Sequence, residues 1–209
     1  MPAGVRTNVN SRDVFINCPF DATYRPLFEA IVFVVSDLGF VPRCALETDD
    51  AGESRLVKIE RIIEECRYGI NDLSAVELDS ATGLPRFNMP LELGLFMGCR
   101  RYGPKAQAKK RILVLDRLPY RYRAFISDIS GQDIRTHGGV PEQVIREVRD
   151  WLRLSSGRTT LPGGTVVVER YGRFRERKPR ICTARQLREE ELTFLDLVQV
   201  IDEWSSVSS

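Results

Sequence analysis

A single histidine, His137, stands among 209 residues, and the five cysteines Cys18, Cys44, Cys66, Cys99 and Cys182 form no C-x-x-C pair. Metal centres and disulfide frameworks draw on exactly those residue types at close spacings, so neither a zinc site nor a disulfide scaffold is expected, and no metal or other cofactor is called for. The thiols are expected to be reduced and mostly buried. Net charge is also scarce, at +2, so the field of the whole chain gives no case for nucleic acid as a partner. No apolar run approaches the ~20 residues that span a bilayer, and Met1 to Ser11 lack the apolar core of a secretory signal. A globular, cytoplasmic protein without a membrane partner is expected, beginning with a loose arm over residues 1–12.

What is present, with 43% hydrophobic residues, is alternation of short apolar runs and helical stripes. Val14-Phe15-Ile16-Asn17 reads as a first strand, and Leu27, Ile31, Val34, Val35 and Leu38 mark a helix closed by Gly39. Phe40 to Leu46 reads as a second strand, placed at a sheet edge by Pro42. Leu56, Ile59, Ile62, Ile63 and Cys66 form one stripe of a second helix, and Tyr68 to Asp72 is a third strand. After a loop of Ser, Asp, Thr, Gly and Pro come a helix containing Glu92, a basic loop and a fourth strand, Arg111 to Asp116. Arg117 to Ser130 is expected to hold a short helix, Gln132 to Thr136 a fifth strand, and Pro141 to Leu152 a helix. This order predicts an α/β, flavodoxin-like three-layer fold: a mostly parallel five-stranded sheet in the order 2-1-3-4-5. Its bounds are read as 13–153. Residues 154–209 are read as a C-terminal extension, with Val166-Val167-Val168 as an edge strand, a basic segment from Arg170 to Arg180, and an amphipathic helix around Thr183 to Trp204.

Two acids stand out. Pro90 suits the first turn of a helix, which would hold Glu92 in that same turn, while Asp72 ends a buried strand. Both could face one crevice at the carboxyl edge of the sheet. Each also has a simpler use: Glu92 as a first-turn acid favoured by the helix dipole, and Asp72 as a cap on the turn through Ser74. Arg86 could be a solvated loop residue, and Arg43, Arg55 and Lys58 could pair with Glu47, Asp49 or Asp50. No histidine lies near Cys18 in sequence to activate it, and His137 reads as a polar loop residue. Basic clusters at Arg100 to Arg111 and Arg170 to Lys178, the second interleaved with Tyr171 and Phe174, could stack on single-stranded bases. Glu169 and Glu176 dilute the second cluster, and nucleic acid is not the expected partner.

The residues resemble the nucleoside 2-deoxyribosyltransferase-like family, whose flavodoxin-like core is shared with bacterial TIR-type NAD hydrolases. The resemblance rests on Val14 to Phe20, a strand running into a Pro-Phe turn; on Asp72 ending strand three; and on Leu91-Glu92-Leu93-Gly94 at a helix start. It implies hydrolysis or transfer at an N-glycosidic bond of a nucleoside, nucleotide or NAD, with Glu92 as nucleophile or oxocarbenium stabiliser. Asp72 would bind the leaving base or carry its proton. Asn17, Cys18, Pro19, Phe20, Tyr24, Arg86, Asn88 and Met89 would line the substrate. The chain departs from the family in two places. Arg86 stands where an aspartate is often found, and a guanidinium suits phosphate, which favours nucleotides. Asn17 and Cys18 replace small residues in the first loop. A homo-oligomer and a role in bacterial defence are further expectations from the resemblance. The rival reading is a catalytically silent nucleotide-binding or signalling module of the same fold, and a third is an assembly domain whose last helix carries Leu195, Val198 and Trp204.

Overall fold

In the computed structural model, residues 9–76, 83–84 and 86–208 are described. Four strands alternate with helices and a fifth follows the fourth through 3-10 turns: β1 (Asn10–Asn17), α1 (Arg25–Asp37), β2 (Val41–Arg43), α2 (Arg55–Glu65), β3 (Cys66–Asp72), α3 (Asn88–Tyr102), β4 (Arg111–Asp116), β5 (Arg135–Thr136) and α4 (Pro141–Ser156). All pair in parallel in the order β2-β1-β3-β4-β5, a flavodoxin-like sheet. Pro42 does sit in the edge strand, where its missing N–H breaks no central ladder. β1 begins at Asn10, inside the stretch expected to be an arm; residues 1–8 of that arm, and part of the polar loop before α3 including Pro85, lie outside the described residues.

Alternation of side chains along each strand divides the core. Val14, Ile16, Tyr68, Ile70, Leu113 and Leu115 face α1 and α4, while Phe15 on the opposite face joins Ile59, Ile62, Ile63 and Phe96 of α2 and α3. Gly69 in β3 allows α3 to approach closely: a Cβ there would lie 2.7 Å from the buried Phe96 ring. On the same side Lys110 is fully buried, its ammonium donating to the carbonyls of Ile63 and Cys66 at the end of α2 and lying 4.7 Å from the Phe96 ring centre. Leu56, expected on the buried stripe of α2, is exposed, because it lies in the first turn beyond the reach of the sheet.

Three further expectations fail. Val166-Val167-Val168 is not a strand but the start of a long helix, α5 (Gly164–Ala184), in which Val167 packs with Tyr171 and Phe174 against Phe33 of α1. The last helix does not run from Thr183. The chain breaks at Gln186, whose φ of 58° is left-handed, and resumes as α6 (Phe194–Ser208). Thr193 and Asp196 open α6 by exchanging backbone and side-chain hydrogen bonds, a reciprocal cap. Between Arg117 and Ser130 there are only two single-turn 3-10 segments, Arg121–Ala124 and Ser127–Ile129. Both α5 and α6 pack on α1, so the C-terminal extension thickens one helical layer.

Candidate functional site

Because β1 lies between β2 and β3, its connection leaves on one face and the β2-to-β3 connection returns on the other. The carboxyl ends of β1 and β3 therefore flank a crevice, the place where open α/β sheets bind ligands. Asp72 ends β3 there with no exposed surface. Its Oδ2 accepts from the Tyr24 hydroxyl at 2.5 Å and lies 3.0 Å from His137 Nε2; its Oδ1 accepts from the Ser74 N–H at 2.8 Å and from the Ser74 hydroxyl. Burial alone would raise the carboxyl, but the hydrogen bonds from His137, Ser74 and Tyr24 outweigh it and hold Asp72 below its ordinary value of 3.8.

His137 is thus no loose polar residue. It is 1% exposed, and Gly138 and Gly139, with φ of 59° and 79°, turn the chain so that the Gly139 N–H donates to His137 Nδ1 at 3.0 Å. With Nδ1 accepting, the ring proton is assigned to Nε2, which faces Asp72 and lies 2.9 Å from Ser74 Oγ. Tyr24 comes from the loop before α1. There Asp21 Oδ1 accepts from the N–H groups of Thr23 and Tyr24 at 3.1 and 3.0 Å. Burial, then the charge of Asp72, push the Tyr24 phenol well above its ordinary range, so it remains a donor.

Glu92 is the opposite kind of carboxylate. It lies fifth in α3, in the second turn rather than the first, because the helix starts at Asn88 with Pro90 third. It is 6% exposed and receives no hydrogen bond from any described residue. Burial raises its pKa to about 7, against the opposing field of Arg55. Arg55, the first residue of α2, is exposed and forms no ion pair of the kind expected among the described residues, whereas Arg43 binds Glu47, Asp13 and Glu65 and Lys58 caps the Thr48 carbonyl.

The remaining expected residues fall around these acids. Asn17 Nδ2 donates to Asn71 Oδ1 at 3.1 Å and to the Met89 carbonyl at 2.9 Å, fastening the end of β1 to the first turn of α3. Asn71 Nδ2 is buried without a partner among the described residues. Cys18 is buried, and its thiol is pushed well above its ordinary value by burial and then by the charges of Asp72, Cys44, Glu92 and Asp21. That holds it protonated and unsuited to nucleophilic attack, within the field of both acids. Pro19 is buried beside it, and Phe20, 37% exposed, packs edge-on against Phe28 at 5.3 Å. Arg86 and Asn88 are exposed at the rim, where the Arg86 charge contributes to lowering Asp21 after the Thr23 and backbone hydrogen bonds; Met89 is half-buried.

Sequence reasoning had named Ser74 only as a cap and missed His137, Arg55 and Asn71 as parts of the site. The signal for His137 was its position: His-Gly-Gly directly follows β5, at the carboxyl edge of a sheet whose strands all run the same way. Among the described residues, no three histidine, cysteine or acidic side chains gather in a geometry that could hold a metal, and no helix is long and apolar enough to cross a membrane. No protein-family model, curated protein or solved structure matches the chain.

Proposed function

We propose that this protein cleaves or transfers at an N-glycosidic bond of a nucleotide, nucleoside or NAD, with Glu92 as the acting carboxylate. The observation that carries the reading is the bare state of Glu92: buried, unbonded among the described residues, and at about 7 balanced between its acid and its anion. A carboxylate without hydrogen bonds keeps its full charge density for a neighbouring cation. As the C–N bond breaks, its electron pair leaves with the base and the anomeric carbon becomes electron-poor; a fixed anion stabilises that transition state more than the neutral ground state. Glu92 either bonds to the anomeric carbon or holds the cation until water or another acceptor adds to it, the acceptor's proton balancing the departing base.

Asp72 is better suited to holding than to proton transfer, since both its oxygens are engaged and it stays ionised. In this reading it fixes Tyr24 and His137 at one side of the crevice. Arg55 and Arg86, both exposed at the mouth, suit the phosphates of a nucleotide. The five cysteines, all free, favour a cytoplasmic setting.

The test is to incubate the protein with NAD, deoxynucleosides and deoxynucleotides and to follow base release by chromatography, with Glu92→Gln as control. Release that disappears in the variant supports the reading; release that survives refutes the role of Glu92. One observation favours the rival, a silent nucleotide-binding module: with Asp72 saturated, no second free carboxylate faces the crevice among the described residues. Binding of these ligands with no release from any of them would establish that rival.

A further inference from the structure

Independently of that chemistry, we propose that the outer face of α5 binds the phosphate backbone of double-stranded nucleic acid through Arg173, Arg177 and Arg180. Folding of the basic segment into a helix sorts its charges in a way that the chain's small net charge conceals. Arg170 turns inward to the buried Asp37 at 2.8 Å, and Lys178 reaches Glu29 at 2.6 Å and Glu189 at 3.2 Å, so these two bind α5 to its neighbours. Arg175 lies over the Tyr171 ring, 5.8 Å from its centre. Arg173, Arg177 and Arg180 are what remains. They are exposed, follow one another at spacings of four and three on one face of the helix, and have no ion pair or hydrogen bond among the described residues.

These three line a groove of about 670 Å³ between α5 and the end of α6. Two acids share it. Glu203 is answered by Arg185 at 3.6 Å, which leaves Glu176 as the one carboxylate set against three free guanidiniums. Along the helix axis the three arginines rise about 6 Å and then about 4.5 Å, a span over which long side chains reach successive phosphates, and the guanidinium fork matches phosphate oxygens in pairs.

The type of partner follows from what else the face presents. Tyr171 and Phe174, the aromatic residues among the arginines, are buried against Phe33, so there is no platform on which unpaired bases could stack. Nor is any large apolar side chain exposed between Arg173 and Ala184, as a helix lying on a lipid surface would require. Charge without stacking or insertion fits contact with a duplex backbone, which positions a protein without reading sequence.

Fluorescence anisotropy of the full chain with a dye-labelled DNA duplex, titrated with salt, tests this. Three phosphate contacts give a slope of log affinity against log salt of about −2.7, and each single Arg→Gln variant should reduce its magnitude by about 0.9. Combined R173Q/R177Q/R180Q, checked for its fold by circular dichroism, should bring the slope close to zero, while R100Q/R101Q on α3 leaves it unchanged. The proposal is overturned if the duplex does not bind at low salt, or if the combined variant keeps the wild-type slope. It is equally overturned if R100Q/R101Q abolishes the slope, or if the protein prefers single strands or anionic vesicles to the duplex.

Discussion

Replacing Glu92 by glutamine should make the protein more stable, and more so as the pH rises. The ordinary value for this carboxyl is 4.5 and in the fold it stands at about 7. The sign follows from proton binding: with the folded value raised, the folded state holds its proton more tightly than the unfolded chain does. The wild type therefore loses stability between the unfolded and the folded values, from about pH 4.5 to about pH 7. Full ionisation in the folded state costs about 3 kcal/mol by that difference. At pH 5 the folded carboxyl is almost entirely protonated and the cost is below about 1 kcal/mol, so between pH 5 and pH 8 the wild type should lose about 2.5 kcal/mol that the variant keeps.

Glutamine has nearly the shape of the protonated acid and cannot ionise, so other effects of the change are common to both pH values and cancel in the comparison. For a chain of this length the gap corresponds to a difference in Tm of about 5–10 °C at pH 8 relative to pH 5. Urea denaturation followed by circular dichroism at the two pH values gives the free energies directly. Curves for wild type and variant that stay parallel from pH 5 to pH 8 would show that Glu92 titrates normally, and the argument that it is held bare in the crevice would fall with them.

Base release, where it occurs, should climb with pH through about 7 as Glu92 ionises, and kcat/KM measured from pH 5 to 9 reads that limb; a flat profile would mean that the anion is not the acting form. His137→Ala removes a donor to a fully buried carboxylate and should cost about 1–3 kcal/mol. Because the lowered Asp72 stabilises the fold above 3.8 and that contribution is lost as pH falls through its folded value, the same variant should also unfold at higher pH on acid titration, read by tryptophan fluorescence. Gly69→Ala should cost about 1–3 kcal/mol through collision with Phe96, and adding Phe96→Leu should return part of it in urea denaturation.

Much of the fold could be read because its local signals agree with one another. β4 has the bounds expected of Arg111 to Asp116, Pro42 is in an edge strand, and alternation of strands and helices led to the observed strand order. Failures came where a local pattern had two physical readings. Val166-Val167-Val168 has the composition of a strand, yet only Val167 needs burial, and the tertiary contact with Phe33 selects helical spacing. The basic segment from Arg170 to Arg180 is helical and carries Pro179 inside α5, whereas the true break, at Gln186, has no breaker residue to announce it. In the site, Glu92 and Asp72 could be named from motif and strand end. The partners of Asp72 come from three separated stretches, around residues 24, 74 and 137, and no local spacing can show that they meet.

The two carboxylates divide the energetics of the crevice between them. Asp72 is surrounded by donors and lowered, so it contributes stability at neutral pH and orders Tyr24 and His137; Glu92 meets no donor among the described residues and is raised by burial, so it costs stability under the same conditions. A single buried environment acting on both alike would have raised both. That the shifts run in opposite directions follows from the placement of hydrogen-bond donors: Ser74, Tyr24 and His137 all converge on one acid, while the carboxamide of Asn17, which is spent on Asn71 and the Met89 carbonyl, fixes the helix turn before Glu92 and leaves the acid bare among the described residues. A fold selected for stability alone would gain by giving Glu92 a donor or an amide. An acid that is buried and unpaired among the described residues, with the field of Arg55 at the mouth of the crevice, is the pattern the proposed ligand-binding role calls for.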